Sequence, residues 1–150
     1  MSSSLATAQT GSPDALVQSL VTTAQENFWG RAVLSNGETV QPVDDAERTA
    51  PVIPFVDSAR VVNGAMPVAR ALWCGVEWQP YYLTFMQAER RGSWSEKQIA
   101  FIGVLFGLTQ GVVSRALIQR GPCSAETRDR VVEGIGAATN TLQAPAEDVR

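Results

Sequence analysis

The chain has 150 residues, of which 45% are hydrophobic and 18% charged, with a formal net charge of −3 at pH 7. This composition is typical of one globular domain, and the negative balance disfavours non-specific binding to nucleic acid. Histidine is absent, which removes the commonest general base and the commonest zinc ligand. Since no catalytic, cofactor-binding or metal-binding motif stands out either, we expect a non-enzymatic protein without a cofactor.

The two ends of the chain are expected to be flexible, over residues 1–11 and 146–150, around a single helical domain at 12–145. Ser12 offers an N-cap and Pro13 a first helical residue, so an amphipathic helix should run from there to about Trp29. The Ala-Thr-Ala sequence at residues 6–8 has the small-x-small form of a signal-peptide cleavage site. It predicts that a signal peptide has been removed.

The residues after this helix change character. Asn36-Gly37 is the dipeptide that favours a tight turn between two strands, which predicts a small β-hairpin near residues 31–41. A two-stranded ribbon is marginal alone, so it should lean on the helices. Residues 41–53 follow as a surface connection, and a long loop of this kind is the best place for a functional loop.

Helices are predicted on both sides of the central stretch. The third element runs from near Pro54 towards Trp73, with a kink or break at Asn63-Gly64 and Pro67. A helix over residues 80–91 follows. The last helix, with one apolar stripe, begins after residue 124. Together these elements predict a mainly α fold, a bundle of about five helices around a central apolar helix.

That central helix is predicted at about residues 95–120. Ser93 with Glu96, and Ser95 with Gln98, both fit the capping box that opens a helix. Gly121 should end it in a left-handed conformation. Its unbroken apolar run covers residues 99–108, whereas a membrane-spanning helix needs about 20 mostly apolar residues. We therefore expect a buried core helix and no transmembrane segment.

Three glycines inside this helix need a reason, because each costs about 1 kcal/mol relative to alanine. Gly103, Gly107 and Gly111 recur every four residues and so share one stripe. We expect close packing against another helix of the chain, with an oligomer interface as the alternative. In the first case Gly107→Leu would be strongly destabilising through overpacking.

The chain has two cysteines, Cys74 and Cys123. The helix at 80–91 and the central helix should fold into an antiparallel hairpin around Gly92. A helical rise of about 1.5 Å per residue brings both cysteines to the far end of that hairpin. A disulfide there would stabilise the fold by roughly 4 kcal/mol. Because disulfides persist outside the cytosol, we expect a periplasmic or secreted protein; two buried free cysteines are the alternative.

Most aromatic residues lie between residues 73 and 106. They could form ordinary core, a partner-binding patch or an apolar ligand pocket. The candidate surface residues are Trp73, Trp78, Tyr81, Tyr82, Trp94 and Gln110.

Cys74 and Cys123, with Trp73 before the first cysteine and a mostly helical segment between, resemble small acid-activated periplasmic chaperones. The resemblance covers about residues 73–135 and implies a single-disulfide protein that binds unfolded clients at low pH. The helix and hairpin ahead of it depart from that pattern. Three hypotheses follow: a module that binds a protein partner or itself, a carrier of an apolar ligand, and an acid-stress chaperone.

Overall fold

The computed structural model describes residues 13–144, so the predictions for Ser12 and for both flexible ends lie outside the described range. Within that range the protein is mainly helical, as predicted, and contains no β-strand. The helices are α1 Pro13–Glu26, α2 Asp45–Thr49, α3 Phe55–Cys74, α4 Gln79–Arg90, α5 Glu96–Arg120 and α6 Ala125–Gln143. The short α2 lies in the predicted surface connection.

Helices α3 and α5 form the most extensive helix–helix contact. They run parallel, because their starts and their ends both meet. At the starts, the Gln98 side-chain amide donates to the Val52 carbonyl at 3.2 Å. At the ends, the Trp73 indole N–H donates to the Gly121 carbonyl at 2.8 Å. The core lies between these helices and α1, where Phe28 meets Phe101 edge to face at 5.3 Å between ring centroids.

The predicted disulfide forms. Cys74 and Cys123 are bonded with their Cα atoms 5.2 Å apart. They close the ends of α3 and α5. The expected antiparallel pairing of the helix at 80–91 with the central helix is present in the side-chain contacts, where Tyr82 meets Phe106 and Met86 lies beside Gly103. The backbone of α4 lies closer to that of α6 than to that of α5.

The ends of α5 follow the predicted signals with one correction. Ser95 and Gln98 form the capping box, in which each side chain accepts a hydrogen bond from the other residue's backbone N–H. Gly121 ends the helix with φ 145° and ψ 179°. This backbone is extended with positive φ and is not the left-handed helical conformation expected, although it favours glycine all the same.

Helix α3 is continuous, so the predicted break at Pro67 is wrong. A proline ring removes one backbone donor, which leaves the carbonyl four residues earlier without its helical partner. That residue is Asn63, which is exposed, so water can satisfy the carbonyl. The neighbouring Gly64 serves packing and does not mark a kink, because a Cβ there would lie 2.3 Å from the Phe85 ring.

Residues 31–41 fold back on themselves with limited pairing. A single antiparallel bridge joins Val33 to Thr39, and Leu34 N–H donates to the Glu38 carbonyl at 2.8 Å. The turn leans on α5, as expected of an isolated ribbon. Its contact there is the Ser35 hydroxyl, which donates to the Glu96 carboxylate at 3.0 Å.

The segment after this turn is tied to α5 by charge. The Glu47 carboxylate accepts from the Val43 backbone N–H at 2.7 Å and from the Lys97 ammonium at 3.1 Å. Both contacts favour the ionised form, so the pKa of Glu47 lies below its usual value of 4.5. The Lys97 ammonium also lies 5.6 Å from the centre of the Trp29 ring.

We predict that Glu47→Gln reduces the pH dependence of stability. Because the pKa of Glu47 is depressed in the folded protein, the contribution of its charge is present above pH 4.5 and is lost as pH falls through the folded pKa. Glutamine still accepts from the Val43 N–H but carries no charge. Thermal midpoints of the two proteins between about pH 3 and 7 should differ at neutral pH and converge in acid. A difference that stays constant with pH would contradict this account.

Candidate functional site

Two of the predicted surface residues are used by the fold itself. Tyr81 is 4% exposed, and its hydroxyl donates to the Gly64 carbonyl of α3. Burial raises the pKa of this phenol above its usual value of 10.0. The Trp73 indole is committed to the end of α5 through its hydrogen bond to Gly121. Neither side chain has a polar group left for a partner.

Tyr82 and Trp94 lie together in a groove of about 570 Å³ between the turn at residues 32–35, α4 and α5. The Tyr82 ring lies 5.1 Å from that of Phe106, edge to face. The Trp94 indole N–H donates to the Glu89 carboxylate at 3.1 Å. Both rings are half-buried, so each is held by the core on one side and lines the groove on the other.

The remaining predicted aromatic and the amide lie at the margins of this region. Trp78 is half-buried and meets Tyr82 edge to face, with ring centroids 6.2 Å apart. Gln110 is half-buried on α5, one helical turn from Gly107. Neither lines the groove.

The glycine stripe of α5 lies on an open side of the protein. We call this side the outer face of α5 and define it by Ala100, Gly103, Val104, Gly107, Gly111 and Ile118. Among residues 13–144, a Cβ added at Gly107 would meet nothing within 4 Å, and one at Gly103 would reach only the tip of Met86 at 4.0 Å. The expectation that this stripe packs closely against another helix of the chain is therefore wrong. The oligomer interface stays a prediction.

The residues that define the outer face are apolar or glycine, and the Arg115 guanidinium lies at its edge, 3.7 Å from the position of a Cβ at Gly111. Ile118 is 57% exposed, and Gly107 is exposed as well. By length and composition alone α5 could also cross a membrane, and 33% of its apolar window is buried in the protein. The opposite side of the same helix is core, with Leu105 and Phe106 0% exposed. The expected absence of a transmembrane segment stays a prediction.

Several residues of the groove were not singled out from the sequence. Met86 and Arg90 of α4 line it, and so do Leu34 and Ser35 of the turn. The sequence did predict that the turn packs against a helix, because a two-stranded ribbon is only marginally stable alone. It did not indicate which helix.

The described residues give little support for chemistry by metal ions or clustered acids. Residues 13–144 contain no group of three or more His, Cys, Asp and Glu side chains that could hold a metal ion. The buried carboxylate of Glu89 is paired with the Arg60 guanidinium, which also contacts Asp57 at 3.1 Å. This cluster holds α3 against α4. Searches against family models, curated proteins and solved structures found no match for this chain.

Proposed function

We propose that the protein is a non-enzymatic, extracytoplasmic helical module that associates with a second copy of itself through the outer face of α5. The observation that carries the proposal is the open side of Gly107, where a Cβ would meet nothing within 4 Å. The finer architecture, a helical bundle with a small hairpin, belongs to the same proposal.

The shape of this face favours a helix as the bound element. Without side chains at Gly103, Gly107 and Gly111, a second helix can approach the α5 backbone closely, as at small-residue helix contacts. The glycines cost helix stability of about 1 kcal/mol each. Within residues 13–144 no contact on this side offsets that cost at Gly107. Close helix packing in an assembly would offset it.

A second copy is the occupant that fits the chemistry best. Two-fold symmetry places the same patch of both copies in contact, so the patch must be complementary to itself. The residues that define the outer face carry no charge, and the charged group beside them, the Arg115 guanidinium, lies at the Gly111 end, so a contact centred on Gly107 keeps the two copies of Arg115 apart. The adjoining groove brings Tyr82 and Trp94, residue types that dominate binding energy at interfaces. Arg90 and Glu96 line the same groove and provide a polar rim with opposite charges.

The proposed compartment is inferred from the disulfide. Cys74–Cys123 is the type of bond that persists in oxidising compartments and is rare in the cytosol. This supports an oxidising, extracytoplasmic environment, and we propose the periplasm or secretion as its specific form.

We predict that Gly107→Leu weakens self-association and leaves the fold intact, because the added side chain enters open space in one copy and blocks the approach of the other. Sedimentation equilibrium should give a dimer dissociation constant at least about tenfold higher, since loss of close packing costs more than about 1.4 kcal/mol. Gly136→Leu is the matched control, on α6 and equally open, and it should leave the dissociation constant unchanged.

Cross-linking locates the contact. Under the proposal Gly107→Cys oxidises to a covalent dimer and Gly136→Cys does not, because only the first residue lies where two copies meet. A wild-type protein that stays monomeric at millimolar concentration would overturn the self-association. It would leave a helix of a different protein as the occupant to be sought.

The groove favours one second candidate, a carrier of an apolar ligand. Its volume of about 570 Å³ falls within the range of about 300–1,000 Å³ typical of small-molecule sites. Native mass spectrometry of the purified protein would show a bound ligand mass that Trp94→Ala removes. Only bare protein in such spectra would count against a carrier.

A further inference from the structure

A second cleft, of about 570 Å³, lies on another side of the protein from the outer face of α5. One wall is α1 and the other is the segment that runs from α2 into the start of α3. Its apolar lining includes Val21, Trp29, Ile53 and Phe55. This is the surface connection in which a functional loop was expected.

The walls of this cleft are fixed by hydrogen bonds. The Gln25 side-chain amide of α1 donates to the carbonyls of Arg48 and Ala50, at 3.1 and 2.8 Å. The far end of the segment is held to α5 through Val52. Because both ends of the loop are anchored, the cleft is formed before any ligand enters, as in most small-molecule sites.

Two residues that line the cleft carry polar atoms without a partner. The Ser58 hydroxyl and the Trp29 indole nitrogen are buried and form no hydrogen bond within residues 13–144. Ser58 as a whole is 1% exposed. A buried polar group without a partner is costly and calls for an explanation. The indole N–H can only donate, and the hydroxyl can donate as well, so the matching group is an acceptor.

The charges around the cleft favour a neutral ligand. Glu26 and Arg48 both line it, and their opposite charges leave no net preference for an ion. The unpartnered donors are themselves neutral, so a carboxylate placed against them would lose hydration, and its attraction to Arg48 would be offset by its repulsion from Glu26. A carbonyl oxygen of an amide or ester accepts hydrogen bonds without that cost.

We propose that this cleft binds a neutral amphipathic molecule whose carbonyl oxygen accepts a hydrogen bond from Ser58, Trp29 or both. Its hydrocarbon part lies against Ile53 and Phe55. Binding requires a side-chain rotation at each donor, since both atoms are covered in the free protein.

The test uses octanamide as the probe and the full chain labelled with ¹⁵N. Octanamide should shift the Trp29 indole N–H resonance saturably, and octanoate, its anionic counterpart, should bind about tenfold more weakly because its charge loses hydration against neutral donors. The resonance is assigned with Trp29→Phe. Absence of a saturable shift at millimolar octanamide, or equal affinity for octanoate, would overturn the proposal.

Ser58→Ala separates a binding role from a structural one because the two readouts move in opposite directions. Removing an unpartnered buried hydroxyl should raise the thermal midpoint of the free protein by about 2–4 °C. Removing the donor should weaken octanamide binding about fivefold. Trp29→Phe should weaken it similarly, and Trp78→Phe, outside the cleft, should not. Unchanged affinity in both Ser58→Ala and Trp29→Phe would refute the assignment of these donors.

Discussion

Replacing both cysteines with alanine should lower the free energy of unfolding by about 4 kcal/mol, because the bridge closes a loop between residues 49 apart in sequence. The stabilisation arises largely in the unfolded state, whose freedom the bridge restricts. Cys74 is 7% exposed, so alanine in its place fits without overlap but also removes a buried sulfur atom, which adds to the loss. Urea unfolding followed by circular dichroism measures the difference directly.

Reduction supplies the control for this variant. Wild-type protein treated with a reductant and kept reduced should unfold at nearly the same urea concentration as the double-alanine protein. The double-alanine protein itself should not respond to the reductant. An oxidised wild type that unfolds together with its reduced form would show that the Cys74–Cys123 bridge contributes no stability.

Gly64→Ala should destabilise the protein by about 1–2 kcal/mol although alanine is the better helix former. The added Cβ would lie 2.3 Å from the Phe85 ring, and Phe85 has little room to withdraw because it is 4% exposed and 5.0 Å from the Phe106 ring. Overpacking of this kind costs about 1–3 kcal/mol or more. The gain in helix propensity is only about 1 kcal/mol, so the steric clash outweighs it and the net change in stability is unfavourable.

Gly107→Ala is the matched control for Gly64→Ala. The substitution is the same and both sites lie inside helices, but a Cβ at Gly107 meets nothing within 4 Å. Under conditions where the protein is monomeric it should therefore gain about 1 kcal/mol. Phe85→Leu removes the ring atoms that clash, so in a double-mutant cycle the cost of Gly64→Ala should shrink. Equal effects at Gly64 and Gly107 would contradict the packing described here.

Local signals predicted the elements of this fold well. The capping box at Ser95 and Gln98 and the N-cap at Ser124 depend on neighbouring residues, so they can be read from short stretches of sequence. The pairing of Cys74 with Cys123 followed from the presence of only two cysteines and from the expected antiparallel course of the helices at 80–91 and 95–120. Mainly helical structure needed only hydrophobic periodicity.

Packing between helices could not be predicted in this way. Gly64 was interpreted as a kink or break and Gly107 as a close contact, whereas the structure places the close contact at Gly64. A local sequence pattern cannot distinguish the two glycines, because their surroundings depend on residues distant in sequence. The Phe85 ring lies against Gly64, whereas no described residue would contact a Cβ at Gly107. Similarly, the unpartnered Ser58 hydroxyl has no signature in sequence. The candidate sites therefore emerged only from tertiary structure.

The parallel course of α3 and α5 has an electrostatic consequence. Two parallel helices place the negative ends of both macrodipoles side by side at the disulfide, where they repel. Positive charge is supplied at this point by the Arg128 guanidinium, which donates to the carbonyls of Cys74 and Gly75 at 2.6 and 3.3 Å. The positive start of α6, just after Cys123, adds to it. The Arg128 guanidinium and the start of α6 thus offset the negative ends of α3 and α5 at the point where the disulfide joins them.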